Sequence, residues 1–291
     1  MTTRIDKSKV RRHFDRHAGS YDQYAVVQRT MADYLLQLVL ERKARGDVSR
    51  IIEIGCGTGL LTCKLLEAYP EASVLAIDLS PQMVERTRQR CGGAAAAGRL
   101  ETFVGDAEPQ GSDDDKLAMT VYGQADLIIS SATFQWFDEP EQTLKTWLER
   151  LKSDGLLAFA TFGPQTFVEL HEAFEAAERE LGLPQMSHGQ DFLSLTEWER
   201  LLLQSTDGLQ KSFAFTGIEQ TDVQLFRDVR SFLYSVKRVG AGNANSDSGK
   251  TQRAGRRLFA EMEKKYTERF AVRNEGIRAT YHLLYGLLGA E

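Results

Sequence analysis

The densest concentration of chemistry in the sequence is the run Glu53-Ile-Gly-Cys-Gly-Thr-Gly59. Glycines at 55, 57 and 59 let a backbone turn sharply and approach a ligand at distances a Cβ would block. A helix beginning just after such a loop offers unpaired N–H groups to whatever binds there. Two carboxylates follow at the ends of apolar runs, Asp78 closing ASVLAID and Asp106 in VGDA (104–107). A carboxylate at the end of the second strand can accept both hydroxyls of a ribose. Asp106 is placed to accept from the exocyclic amine of an adenine. Dinucleotide loops read G-x-G-x-x-G, and the third glycine position is Leu60 here. Glu53, just ahead of the loop, would oppose a pyrophosphate and suit a cation. A nucleoside-type ligand with positive charge and no phosphate fits this set best; S-adenosylmethionine is such a molecule.

These residues need elements to hold them. RIIEIG (50–55), ASVLAID (72–78), RLETFVGD (99–106), ADLIISSA (125–132) and GLLAFATFG (155–163) read as short strands. LLTCKLLEAY (60–69), PQMVERTRQRC (81–91) and EQTLKTWLERL (141–151) read as helices, the second opened by a Ser80-Pro81 N-cap. Such alternation is the pattern of parallel βαβ units covered on both faces, a Rossmann-like, doubly wound, mostly parallel seven-stranded sheet. After Gly163 the rhythm breaks. TFVELHEAFEAAEREL (166–181) has a helical stripe, and SLTEWERLLLQS (194–205) starts with a capping box, Ser194 to Glu197. The chain then reads as a strand (210–220), a helix (222–239), a polar loop (240–250), a helix (251–269) and a final apolar strand (277–289). AAAA (94–97) reads as a surface turn and DDD (113–115) as a solvated loop. Four regions are expected: an N-terminal helical cover (1–45), a cofactor-binding core (46–163), a helical substrate lid above the sheet (164–208), and the rest of the sheet with basic helices (209–291).

Composition sets the outer limits. A chain of 291 residues, 42% hydrophobic and 26% charged, can bury a large core without staples. No apolar run approaches the ~18 residues of a membrane span, and MTTRIDKSKVRRHFDRH lacks a secretory apolar region. The net charge of -5 argues against a general nucleic-acid binder. Cys56, Cys63 and Cys91 have no zinc-site spacing and read as three thiols in a reducing cytoplasm; no metal is expected. Cys56 belongs to the loop and is not read as a nucleophile.

Together these segments resemble the class I S-adenosylmethionine-dependent methyltransferases over roughly 50–163. The resemblance implies that Gly55 and Gly57 pass under the methionine part, with Cys56 between them and Glu53 ordering the loop. It implies that Asp78 holds the ribose, Leu79 and Met83 pack the adenine face, and Asp106 with Ala107 reads the adenine edge. Ser130 and Ser131 would approach the amino-acid end or the methyl. KSKVRRHFDRHAGSYDQYAVVQRTMADYLLQLV (7–39), SSATFQWFDEP (130–140), SVKRVGA (235–241) and TYHLLYG (280–286) are similar to the malonyl-acyl-carrier-protein O-methyltransferase family of biotin synthesis. That family esterifies the free carboxylate of a malonyl thioester and leaves S-adenosylhomocysteine. A carboxylate is already a nucleophile at neutral pH, so no general base is required. Tyr21, Tyr24, Phe134, Trp136 and Phe162 are aromatic candidates for the lid, with Tyr24 and Phe162 read as core. Tyr21 and Gln28 are expected to touch the cofactor. Arg29, Gln135, Trp136, Lys237 and Arg238 are the substrate candidates. Arg238 is favoured for the malonyl carboxylate because arginine binds carboxylates bidentately.

The resemblance also implies an acidic partner, acyl carrier protein. Residues 225–273 hold 12 Lys/Arg against 5 Asp/Glu, while residues 1–224 hold 23 against 34, so the cations are concentrated where they can steer such a partner. A solvated helix face laced with i,i+4 pairs is the alternative reading. Other functions stay open at this level: a methyltransferase acting on another carboxylic acid or a quinone, an NAD-dependent oxidoreductase, or a cofactor-binding assembly protein without catalysis.

Overall fold

Five apolar runs pair edge to edge as parallel strands: β1 (Arg50–Ile54), β2 (Ser73–Asp78), β3 (Leu100–Val104), β4 (Ala125–Ser131) and β5 (Leu151–Phe162). The computed structural model describes residues 5–108, 123–209, 212–240 and 252–290. β6 (Phe213–Phe226) and β8 (Gly276–Ala290) complete the sheet, with β8 antiparallel to both β5 and β6. The order is β3-β2-β1-β4-β5-β8-β6, and a two-residue β7 (Ala271–Val272) pairs with the start of β8. The expected mostly parallel, doubly wound sheet is present. Its winding reverses between β1 and β4, and crevices outside the carboxyl ends of strands form at such a switch point.

Central strands with apolar residues on both faces must be covered on both. On one face, α3 (Val26–Leu40) and α4 (Leu60–Ala68) bury Met31, Leu35 and Leu65 together with Ile51, Leu127 and Ile129. On the other, α7 (Pro140–Leu148) lays Leu144 and Trp147 on Ile52, Ile128 and Leu157. Two short helices, α1 (Lys7–His17) and α2 (Tyr21–Tyr24), precede α3. Asp6 caps α1 by accepting the Lys9 N–H. Ser80 caps α5 (Pro81–Arg90), accepting from Met83 with proline at the first helical position, as its sequence requires.

The chain departs from the sequence reading at four places. The helix expected over 222–239 begins only at Val229; residues 222–226 continue β6, in register with 277–281 of β8. Asp228 supplies the stop and restart, capping α10 (Val229–Arg238) through the Ser231 N–H. AAAA contributes to a short helix, α6 (Gly92–Ala96), instead of a turn. The two helices after β5 form, α8 (Val168–Leu181) and α9 (Leu195–Ser205), and the Ser194–Glu197 capping box is present. However, α9 does not stand above the sheet. Trp198 and Leu202 bury it against Phe159 and Leu284, so it covers the sheet face on the way from β5 to β6. Finally, Cys63 and Cys91 form a disulfide between α4 and the end of α5, leaving Cys56 as the free thiol. The three-thiol expectation failed because a separation of 28 residues says nothing about two helices that pack side by side. The DDD run and the loop at 242–250 lie outside the described residues.

Candidate active site

At the carboxyl end of β1 the backbone turns through glycines with φ of 77°, 55° and 81° at 55, 57 and 59, the left-handed region that glycine enters without penalty. The turn is tied to β2. The N–H groups of Gly55 and Cys56 donate to the Ile77 carbonyl, and Gly57 N–H donates to Asp78 Oδ2 at 2.9 Å. The other Asp78 oxygen accepts the Ser80 N–H at 2.8 Å. Gly55 has a second constraint, because a Cβ there would stand 1.9 Å from Thr133 Oγ1. A Cβ on Gly57 would meet nothing within 4 Å and would project into open space.

Burial disfavours ionisation of both acids here. It raises Asp78 to about 6 against the lowering effect of its two N–H donors. It raises Glu53 to about 8, partly offset by the hydroxyl of Thr62, which donates to Glu53 Oε2 at 2.6 Å. Glu53 therefore links β1 to α4 and does not line the cavity, and its burial favours the neutral form. Burial thus works against the anion expected ahead of the loop. The acidic character of the site comes from Asp78 and Asp106.

One cavity gathers most of the candidates. Gly55, Gly57, Asp78, Leu79 and Met83 form its floor and one side; Asp106 and Ala107 form the far end; Ser131 and Trp136 face them across the β4 end. The N-terminal helices close it with Lys7, Val10, Phe14 and Tyr21. Phe14 sits edge-on to both Tyr21 and Trp136, at 6.3 and 6.1 Å between ring centroids, which makes an apolar wall on that side. Burial and the nearby Asp78 and Asp22 push the Tyr21 hydroxyl well up, so it is a donor at neutral pH and not a base. Ser131 Oγ is buried and has no hydrogen-bond partner among the described residues. An orphaned hydroxyl facing a cavity, beside two carboxylates and a glycine turn, fits a polar ligand with a cationic end.

The other candidates stand elsewhere. Ser130 is buried and donates to the Ile54 carbonyl, clamping β4 to β1. Cys56 is buried behind the loop, its thiol pushed far up by burial, in keeping with a structural position. Gln135 turns inward, donating to the Ala132 carbonyl and accepting from Thr161. Phe134 is core, stacked on Phe159, and Phe162 is core as expected. Tyr24 is not core: its ring lies against Tyr234, with the Arg238 guanidinium over both rings. Gln28, Arg29, Lys237 and Arg238 do not line the cavity, and Arg29 donates to the Asp22 carbonyl.

Residues 52–157 match a family model described as a methyltransferase domain. Two solved structures share the fold: a putative methyltransferase from Bacillus halodurans (TM-score 0.51, 16% identity, 88% of this chain and 97% of that one) and the YcgJ protein of Bacillus subtilis (TM-score 0.54, 15% identity, 89% and 98%). At such identities they establish the fold alone. The deciding similarity runs the length of the chain. A malonyl-[acyl-carrier protein] O-methyltransferase from Acetivibrio thermocellus is 39% identical over 97% of this chain and 93% of its own. One from Halalkalibacterium halodurans is 37% identical over 98% and 99%. The chain belongs to the malonyl-[acyl-carrier protein] O-methyltransferase family.

Within this family member, several cavity residues carried no sequence signal. Lys7, Val10 and Phe14 belong to the 7–39 segment, in which the sequence reading singles out only Tyr21, Tyr24, Gln28 and Arg29. Thr133 is visible only through the glycine it packs on. Ala132, with a φ of 55° that disfavours any side chain, marks the tight exit from β4 into the cavity wall. Gly240 has a φ of 88°, and a Cβ there would meet the Phe14 ring at 2.6 Å, so Gly240 seats the aromatic wall.

Proposed function

We propose that this chain methylates the free carboxylate of a malonyl thioester on acyl carrier protein, with S-adenosylmethionine as donor, in the pimelate stage of biotin synthesis. The observation that carries the reading is one cavity where the glycine turn, Asp78, Asp106 and an aromatic wall meet, in a chain similar throughout to this family. The bound cofactor supplies an electrophilic methyl on a sulfonium. Asp78, pinned by two backbone N–H groups, would accept from the ribose hydroxyls. Asp106 would accept from the adenine amine, with Leu79 and Met83 against the ring. Ser131 Oγ is available to a polar group at the opposite end.

The acidic lining with its aromatic wall suits this chemistry. Donor and acceptor charges cancel as the ester forms, so excluding water favours the reaction. Phe14, Tyr21 and Trp136 perform that exclusion and hold the reacting ends in line. Among the described residues the titratable groups lining the cavity are Lys7, Tyr21, Asp78 and Asp106; both carboxylates accept backbone N–H groups and, in this reading, are taken up by the cofactor. An acceptor that must first lose a proton from carbon is therefore poorly served. A dinucleotide is disfavoured by the missing third glycine.

The carrier would approach the basic face of α10 and of α11 (Gln252–Phe270). Several of those cations are paired within the chain: Arg230 with Glu263, Lys265 with Glu180 and Glu261, Arg269 with Glu172. Steering therefore falls to others, among them Lys237, Arg238, Arg256 and Arg257, with Arg238 the favoured partner of the malonyl carboxylate. Among the described residues no helix is long and apolar enough to cross a membrane. A cytoplasmic location belongs to this reading. Incubation with labelled S-adenosylmethionine and malonyl-acyl carrier protein should give a base-labile methyl ester on the carrier; a base-stable label, or none, would reject it.

A further inference from the structure

Lys7 is the one cationic side chain on the cavity wall among the described residues. Its ammonium lies 3.0 and 3.1 Å from the two oxygens of Asp106 and 2.5 Å from Glu108 Oε2. The Lys7 and Asp106 side chains are each 20% exposed and that of Glu108 4%, so the cluster is screened from solvent more than a surface pair. Glu108 is itself anchored, accepting from Asp138 N–H, Glu139 N–H and the Thr143 hydroxyl at the start of α7. Asp106 also accepts the Glu108 N–H at 3.0 Å. One side chain from the first turn of α1 thus joins the strand-end carboxylate to the base of α7.

The other fasteners of the N-terminal helices lie outside the cavity. Ile5 N–H donates to Asp138, the Ser80 hydroxyl to Asp15, and Asp22 holds both Thr58 and Arg90. Among the described residues Lys7 is the polar fastener that reaches inside, to the carboxylate assigned to the adenine amine. A carboxylate offers roughly four acceptor sites, so Asp106 can hold Lys7 and the Glu108 N–H and still accept an amine. The ammonium holds that carboxylate in one orientation and brings α1 down over the nucleoside half of the cavity.

We propose that Lys7 is a positioning residue for the cofactor: it orients Asp106 and fastens the N-terminal cover, so that one ion pair sets both cofactor affinity and closure. The proposal rests on the S-adenosylmethionine reading above. The comparison is wild type, Lys7→Met, which keeps the length and removes the charge, and Lys7→Arg, which restores it. Titration calorimetry with S-adenosylhomocysteine at low and high salt gives affinity, and trypsin cleavage within α1 of the ligand-free proteins reports closure. Lys7→Met should bind about tenfold more weakly with a flatter salt dependence and be cut several-fold faster, and Lys7→Arg should recover most of both. In turnover, KM for S-adenosylmethionine should rise about tenfold with a much smaller change in kcat. If Lys7→Met is insoluble, Lys7→Gln and the wild-type salt titration make the same comparison. Wild-type protein that binds neither ligand would overturn the cofactor reading and this proposal with it. Wild-type protein that binds, beside a Lys7→Met variant of equal affinity and equal cleavage rate, would overturn the role of Lys7 alone.

Discussion

Asp78 Oδ2 accepts the Gly57 N–H at 2.9 Å, so the carboxylate assigned to the cofactor is also the post that holds the glycine turn. Burial raises this acid to about 6. Below that pH it is protonated and one of its oxygens stops accepting. Cofactor affinity should therefore fall as pH drops through about 6, by up to tenfold per pH unit for one proton. Asp78→Asn presents an NH2 to one of the two backbone donors and should bind weakly at every pH. Calorimetric titration between pH 5 and 8 checks both; a flat wild-type profile would separate Asp78 from binding.

Stability should respond to pH in the opposite direction. Glu53 is raised by burial to about 8. A carboxyl held above its unfolded value near 4.5 favours the fold most below that value and loses its contribution as pH rises through 8. Glu53→Gln keeps an acceptor for Thr62 and cannot ionise. Its Tm should match wild type near pH 5 and exceed it by several degrees at pH 9, as measured by calorimetry.

Two neighbouring glycines should behave differently. Gly55→Ala places a Cβ against Thr133 at 1.9 Å and should cost several kcal/mol, with loss of cofactor binding. Gly57→Ala meets no atom within 4 Å, so its cost is the positive φ, about 1–2 kcal/mol. Thermal denaturation of the two variants tests the ranking.

Arg238 stacks on Tyr24 and Tyr234 outside the cavity. Arg238→Ala should raise KM for the malonyl substrate about tenfold while leaving S-adenosylhomocysteine affinity within twofold. Carrier-linked substrate should outperform a small malonyl thioester, with an advantage that shrinks in high salt. Equal rates for both substrates at every ionic strength would remove steering.

The Cys63–Cys91 bond closes a segment with a separation of 28 residues. A loop of that order is worth about 3 kcal/mol. Reduction with dithiothreitol should lower Tm by several degrees, and the Cys63→Ser, Cys91→Ser double variant should show no further drop on reduction. Thiol counting on protein quenched directly from cells reports which form the cell maintains.

Local pattern exposes the part of the site that local pattern builds. The glycine turn, Asp78, Asp106 and Met83 follow strands and caps whose periodicity is written in adjacent residues, and the cavity contains them. Gln28, Arg29, Lys237 and Arg238 were assigned from segment similarity and stand off the cavity, because a shared segment fixes a fold position without fixing where a long side chain points. Lys7 and Phe14 were invisible for the converse reason: their partners lie 99 and 122 residues away. Burial overturned the Glu53 reading, since a strand-end acid and a sheet-interior acid look alike until the covering helix is present. Residues 222–226 are strand because β8 offers them a ladder, a tertiary partner that propensity does not register.

The cavity has two owners. Strand ends within the region of the methyltransferase-domain match provide its floor, and α1 and α2, outside that match, provide its roof. An excised core would keep the family's signature and lose its vessel. The stretch recognisable by that match is thus smaller than the stretch that encloses the chamber.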